Sequence, residues 1–415
     1  MSDSHPDFQQ RQLDNGLTVV LIPWQCAWLK ANIIIHSGGR EDPAEKSGTA
    51  HFLEHMMCQS TGFNPDQIKL KFKLIGGRAS LGGTGYSVTV YHFAVPLESD
   101  HLEAALAVFG KLLMNAEIRQ DIEAERITII NEFKSLTRQT QILADMALMR
   151  RMIFGKHPLA NALLAIGQPA SIKEITFDDL RDYYERHYHP ANTTIVAVGG
   201  IDFDELVKSV QTSPFGLSKA GQKTSLAQLI KEFPLPEQTR LERKSSDIFK
   251  SKASRSEFLS FAAIPGTVRR SVVNRTREVL DLVLNQVIRE QHHWSYYIGA
   301  EADRFQEASE FRIRGVIAWS AVDHIEEVVD RCIDAAIKRP DLIQNAIDSA
   351  VARYKIWDES GGHTLGIATC ELDVYGRVRP LAERKQEAEI TTIEEVADLL
   401  RSLTRERRCT LILKP

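Results

Sequence analysis

The sequence predicts an α+β fold built from two similar α/β domains. Three observations carry that expectation. A chain of 415 residues exceeds what one ordinary hydrophobic core organises. β-Branched runs alternate with amphipathic helical patterns through both halves. The two halves also end alike, each on a capped helix, a short connection and an apolar strand. One ending runs from Ile175-Thr-Phe-Asp-Asp-Leu-Arg-Asp-Tyr-Tyr to Thr194-Ile-Val-Ala-Val, the other from Ile390-Thr-Thr-Ile-Glu-Glu-Val-Ala-Asp-Leu-Leu to Thr410-Leu-Ile-Leu. Pro214, Gly216, Pro234 and Pro236 mark residues 213–246 as the expected linker. The expected domains are therefore residues 1–212 and 247–415.

The first half opens with two predicted strands, residues 17–23 and 30–36, rich in Val and Ile. Asp42-Pro43 starts a loop, and Ser47 is the expected N-cap of a helix beginning near Thr49. A helix over 65–75 stops at Gly76-Gly77. The glycine-rich stretch Gly76 to Gly85 lacks a following Gly-Lys-Ser/Thr and leads into a strand over 86–96, so a phosphate loop is not expected there. Long amphipathic helices follow over 102–115 and 120–152, and the chain then looks irregular until Thr176, the cap of the next helix. Residues 193–199 read as a strand buried on both faces, and Asp202 to Gln211 as a short helix. The second half repeats the plan: a strand over 257–264, a helix over 269–291, a strand pair over 295–302 and 310–317, then helices over 322–338 and 340–359.

An apolar share of 43%, a charged share of 26% and a formal charge of −4 fit a soluble globular chain, with no electrostatic case for nucleic acid or an anionic membrane. Five scattered cysteines without CxxC spacing argue against a disulfide framework or a cysteine zinc site. Cys58, one turn past the histidines described next, reads as a packing residue. The polar N-terminus carries no signal-peptide pattern, and no apolar run reaches bilayer length, so a cytoplasmic location is expected.

The chemistry-bearing stretch is His51-Phe-Leu-Glu54-His55. Spacings of three and four residues place both imidazoles and the carboxylate on one helix face. Two histidines so placed can grip one divalent ion, in the H-x-x-E-H order of the inverzincins. Catalytic zinc needs a third protein ligand and an open position for water. Glu132 is the best candidate, on a helix whose same face carries Glu125. One of these carboxylates would bind the metal while the other takes an imidazole N–H. No fourth ligand presents itself, which argues against a closed structural or storage site.

Gly48-Thr-Ala-His-Phe-Leu-Glu-His-Met-Met, followed by Glu125-Arg-Ile-Thr-Ile-Ile-Asn-Glu132, resembles the pitrilysin or M16 family of zinc peptidases. Tyr188-His-Pro-Ala-Asn192 is similar to the segment leading into the last strand of that family's first domain. The resemblance covers almost the whole chain. It implies a LuxS/MPP-like metallohydrolase fold, two domains each with a mostly antiparallel sheet packed with helices. It also implies Zn²⁺ held by His51, His55 and Glu132, with Glu54 as general base and Glu125 as the carboxylate behind a ligand. Ile288-Arg289-Glu-Gln-His-His-Trp-Ser-Tyr296-Tyr297 resembles the family segment in which an arginine and a tyrosine contact substrate, which implies that role for Arg289 and Tyr296, with Tyr297 as an adjacent alternative. His292 and His293 are expected in surface or packing roles.

The implied activity is zinc-dependent hydrolysis of short or unfolded peptides in an enclosed chamber. The implied partner is a second copy of the chain, or alternatively a paralogous subunit. A dedicated precursor-maturation peptidase and a non-catalytic assembly subunit are the rival expectations. One departure stands out: no Asn-Ala pair can be placed in Arg78-Ala-Ser-Leu-Gly-Gly-Thr84, where the family usually has one.

Overall fold

Short aliphatic runs become sheet interiors here because each is covered on both faces. The computed structural model describes residues 7–59, 64–98, 100–139, 141–244, 255–359 and 364–414. In the first half β1 (Gln9–Gln12), β2 (Thr18–Pro23), β3 (Trp28–Ile35), β4 (Arg78–Ser80), β5 (Thr89–Pro96) and β6 (Thr193–Gly199) form one sheet. Its strand order is β1-β2-β6-β3-β5-β4, so β4 lies at an edge. Every neighbouring pair is antiparallel except β2 with β6. One face buries Leu21, Ile33 and Phe93 against Phe52, Phe72, Phe109, Leu180 and Leu206 of five helices. The other buries Val20, Ile34 and Val196 against Ala368 and Leu372 of the helix Leu365–Tyr375.

The second sheet comprises β7 (Arg240–Lys244), β8 (Arg255–Pro265), β9 (Ser295–Arg304), β10 (Ala308–Ala318) and β11 (Arg408–Lys414). Its order is β7-β11-β8-β10-β9, and only β7 with β11 is parallel. In each sheet the last strand of the half inserts between two earlier ones, parallel to the first and antiparallel to the second. The helices feeding these two strands both start on capping boxes, Thr176 with Asp179 and Thr392 with Glu395. The duplication expected from the two endings is therefore present in sheet topology as well as in sequence.

The chain forms two compact units, each drawn from both halves. The first comprises Met1–Leu136, Leu164–Leu226 and Trp357–Leu381; the second comprises Thr137–Leu163, Ala227–Ile356 and Ala382–Pro415. A sheet face left without local helices must be covered by chain from elsewhere, since uncovered apolar strands lose the burial that stabilises them. In the second unit the helix Gln141–Phe154 brings Arg150, whose side chain is 3% exposed, to the fully buried Glu310. Arg312 completes the arrangement, 2.7 Å from Glu310 and 2.7 Å from Asp303. Charges this deep persist only when paired in this way.

Several local expectations are corrected. The helix expected over 120–152 starts at Glu123 and is helical over Glu123–Gln139 and Gln141–Phe154, residue 140 lying outside the described residues. The stretch before Thr176 holds a 3₁₀ segment at Pro158–Leu164 and a helical turn at Pro169–Glu174. The α-helix from Arg270 ends at Leu284 and continues as π-helical turns through Gln291. Residues 213–246 contain a short helix at Pro214–Leu217 and β7, which pairs with β11. The linker's expected end at 246 lies outside the described residues. Ser47 is not the N-cap of the histidine helix: Gly48 is, in the left-handed region at φ 95°. The capping oxygens come from Asp42, which accepts the N–H groups of Gly48 at 2.6 Å and Ala50 at 2.8 Å.

His36 yields a pH prediction. Its ring is buried against the Thr194 hydroxyl at 2.8 Å, and burial pulls its pKa from 6.5 to about 3. The unfolded chain takes up a proton below pH 6.5 that the folded chain refuses, so this contribution is present above pH 6.5 and lost as pH falls. Between pH 6.5 and 5 the wild type should lose about 1.5–2 kcal/mol that a His36→Gln protein does not. Urea unfolding of both proteins at the two pH values checks this; parallel losses would refute it.

Candidate metal centre

The helix Thr49–Cys58 buries Phe52, Leu53, Met56 and Met57 against the first sheet, and this anchoring sets the direction of its opposite face. That face carries His51, Glu54 and His55. The helix Glu123–Gln139 supplies Glu132 opposite the two rings and Glu125 two turns earlier. Oε2 of Glu132 lies 3.4 Å from Nε2 of His55 and 3.8 Å from Nε2 of His51. One ligand atom from each of the three residues falls within 4.8 Å of the others, and among the described residues no other such group of three occurs. A tetrahedral ion about 2.0–2.2 Å from each ligand sets neighbouring donors roughly 3.3–3.5 Å apart. Donor type and spacing therefore fit one zinc-sized ion.

Glu125 stands behind His55: its Oε2 lies 3.1 Å from Nδ1, while Oε1 accepts from Nε2 of Gln59 at 3.0 Å. Nδ1–H of His55 donates to Glu125, so loss of the proton on Nε2, which otherwise faces Glu132, leaves that nitrogen bare for a metal ion. Glu54 is 9% exposed and accepts a 3.0 Å hydrogen bond from the Thr84 hydroxyl at Oε2. A cavity of about 360 Å³ adjoins this side of the helix, lined in part by Glu54, His55, Cys58, Lys69 and Leu81.

The electrostatics separate these groups. Burial and the neighbouring His55 pull the pKa of His51 down to about 4, against the Glu132 charge, so its ring is neutral near pH 7. Burial also works against a charged His55, but hydrogen bonding to the Glu132 and Glu125 carboxylates outweighs it and holds His55 above its ordinary value. Hydrogen bonding to His55 is the main cause keeping Glu132 below the usual carboxylate range. Burial raises Glu54, opposed chiefly by His55 and by the Thr84 hydrogen bond. With centroids 4.7 Å apart, the two rings thus carry no more than one positive charge between them near pH 7, and a cation bound at their ring nitrogens takes the place of that extra proton.

Arg289 and Tyr296 belong to the second unit. They meet each other, the guanidinium carbon 5.6 Å from the ring centroid, and Tyr296 is 80% exposed. Tyr297, by contrast, engages Glu301 through its hydroxyl at 3.1 Å. His292 stacks on Trp294 with centroids 4.4 Å apart. The fold also sets Gly82 and Thr84 against the histidine helix, Asp42 at its start and Gln59, its C-cap, on Glu125, and sequence reasoning singled out none of them for the site. A chain scan offers little signal for such residues, because each acts through a contact that only the folded arrangement of loop and helix decides.

Two imidazoles and a facing carboxylate, one ring backed by a second carboxylate and the pair flanked by a third, match in donor type and spacing what a single divalent ion requires. Residues 28–166, which hold all five of these side chains, match the insulinase-type peptidase family M16, and residues 174–352 match the domain described as the peptidase M16 inactive domain. The chain belongs to peptidase family M16. It is 27% identical over 216 residues to the mitochondrial-processing peptidase subunit beta of Caenorhabditis elegans, covering 51% of this chain and 45% of that protein. It is 28% identical over 212 residues to the "Probable zinc protease PqqL" of Escherichia coli, covering 48% of this chain and 22% of that one. The chain thus spans less than half the length of either relative in these matches. In fold it resembles a protease from Helicobacter pylori, with a TM-score of 0.81 at 16% identity over 99% of this chain and 100% of that one. Among the described residues no helix is long and apolar enough to cross a membrane.

Proposed function

We propose that this protein is a zinc-dependent endopeptidase acting on short or unfolded peptides. The observation that carries the reading is the convergence of His51, His55 and Glu132, with Glu54 on the same helix face. His51, His55 and Glu132 hold the ion. Zinc, when bound, supplies the Lewis acidity that makes water nucleophilic near neutral pH and polarises a carbonyl. Glu54 takes the proton from the attacking water and passes it to the departing amine. Glu125 keeps the His55 ring in the tautomer and orientation that ligation needs. β4, at the edge of the first sheet, offers backbone groups on which an extended peptide can form an added strand.

Arg289 and Tyr296 are assigned to gripping substrate carbonyls and the developing oxyanion, in a homodimer where each subunit serves its partner's zinc. Their exposure and mutual contact support availability for a ligand. The names of the processing peptidases among the relatives favour a second reading, maturation of one precursor peptide alongside a paralogous subunit. The test is the purified protein alone on a quenched peptide library, with metal content and mass in solution measured together. The first reading predicts about one zinc per chain, a dimer, and cleavage abolished by a chelator. A zinc-loaded protein inert on the library but active on one precursor would favour the second.

A further inference from the structure

The segment from Leu81 to Gly85, which lacks the expected Asn-Ala pair, is held in place from several sides. Leu81 O accepts from the Cys58 thiol at 3.1 Å, one turn beyond Glu54 on the histidine helix. Gly83 O accepts from Val90 N–H at 3.0 Å, and Gly85 N–H donates to Val88 O at 2.8 Å. Gly39 and Arg40 donate backbone bonds of 3.1 and 2.8 Å to Gly85 O and Tyr86 O. Thr84 itself bridges to Thr89 of β5. A loop clamped in this way presents its side chains at defined places, and what it presents to the histidine helix is the Thr84 hydroxyl, 3.0 Å from Glu54 Oε2.

The other side of the Glu54 carboxylate rests on Gly82. This glycine has a φ of +149°, and a Cβ there would stand 2.3 Å from Oε1 and 2.5 Å from Cγ of Glu54. No side chain fits between loop and carboxylate. Thr84 thereby engages the carboxylate through its hydroxyl, the stronger contact, and through its backbone N–H, while Gly82 brings a backbone surface with no competing side chain against Oε1.

We infer that Thr84 is a positioning residue: its hydroxyl, on a loop that Gly82 lets approach, fixes the Glu54 carboxylate in the orientation its proton transfer requires. The inference rests on Glu54 being the proton carrier proposed above. Thr84 touches neither metal nor substrate in this role and acts only through Glu54. A hydroxyl that merely closed the loop would leave Glu54 in place when removed; a positioning hydroxyl would not.

The test compares wild type with Thr84→Val, which keeps the shape and removes the hydroxyl, and Thr84→Ser, which keeps the hydroxyl. Gly82→Ala serves as an independent displacement of the carboxylate. Crystal structures of the proteins give a readout separate from activity. The expected result is one Glu54 conformer in wild type and Thr84→Ser, and a shifted or multiple conformer in Thr84→Val and Gly82→Ala. Peptide kinetics should show kcat lowered about 10- to 100-fold in Thr84→Val, with KM and zinc content near wild type and Thr84→Ser largely restored. An unmoved Glu54 in Thr84→Val overturns the inference whatever the activity, as does unchanged kcat or a loss that follows zinc content. Wild-type protein that binds zinc but cleaves no peptide, with Glu54 still released in Thr84→Val, removes the peptidase reading and leaves the positioning contact standing.

Discussion

A Glu54→Gln protein is expected to keep zinc at one ion per chain and to cleave peptides about 10²- to 10⁴-fold more slowly than wild type. The amide matches the carboxylate in shape, and its oxygen still accepts the Thr84 hydrogen bond. The fold around it, the buried face of the helix Thr49–Cys58, is therefore undisturbed. An amide cannot take a proton from water near neutral pH. The loss should fall on kcat, because the ion and the substrate-binding surfaces remain. Metal analysis and steady-state kinetics on one preparation check both halves of the statement. Turnover at the wild-type rate would sink the role assigned to Glu54.

Replacing Glu132 has the second large effect, of a different kind. Two imidazoles alone leave a zinc ion short of the three protein ligands an open catalytic site requires. Glu132→Ala is therefore expected to emerge from dialysis with less than about one tenth of the wild-type zinc and no measurable cleavage. Its side chain is 41% exposed, so the fold should survive and thermal unfolding of the metal-free proteins should change little. Full zinc in Glu132→Ala, together with its loss in Glu125→Ala, would exchange the roles assigned to the two carboxylates.

The two glutamates show how far spacing reaches. Seven residues apart on one helix, they share a face, and that was legible without coordinates. Which carboxylate faces both rings and which stands behind one depends on how that helix is set against the histidine helix. The structure places Glu132 toward both Nε2 atoms and Glu125 at His55 Nδ1. The longer strands were equally readable, since aliphatic runs such as residues 193–199 declare burial on both faces, whereas the short, polar β1 and β4 carry no such run and are absent from the expected plan. β7 was missed because Arg-Leu-Glu-Arg-Lys carries neither alternation nor a hydrophobic run; its place is set by backbone pairing with β11.

The capping of the histidine helix shows where local reasoning stops. Ser47 has the right chemistry two residues before Thr49, yet the chain enters through a left-handed Gly48 and takes its capping oxygens from Asp42. A capping rule reads neighbours along the chain, and here the better acceptor comes back from a loop.

By itself, the sequence determined the duplicated α/β plan and the grouping of His51, Glu54 and His55. Helical and strand periodicities are local properties, repeated every few residues and independent of what lies across the core. The tertiary structure alone decided the settings of those groups: Glu132 against both rings, Glu125 and Gln59 behind His55, Asp42 under the helix start, Thr84 and Gly82 around Glu54. It also decided that the helices Gln141–Phe154 and Leu365–Tyr375 each belong to a unit drawn mainly from the other half of the chain. The physical reason is common to all of these. They are set by covering apolar sheet faces and satisfying buried polar atoms, which couple residues far apart in sequence and are decided only when the whole chain is packed.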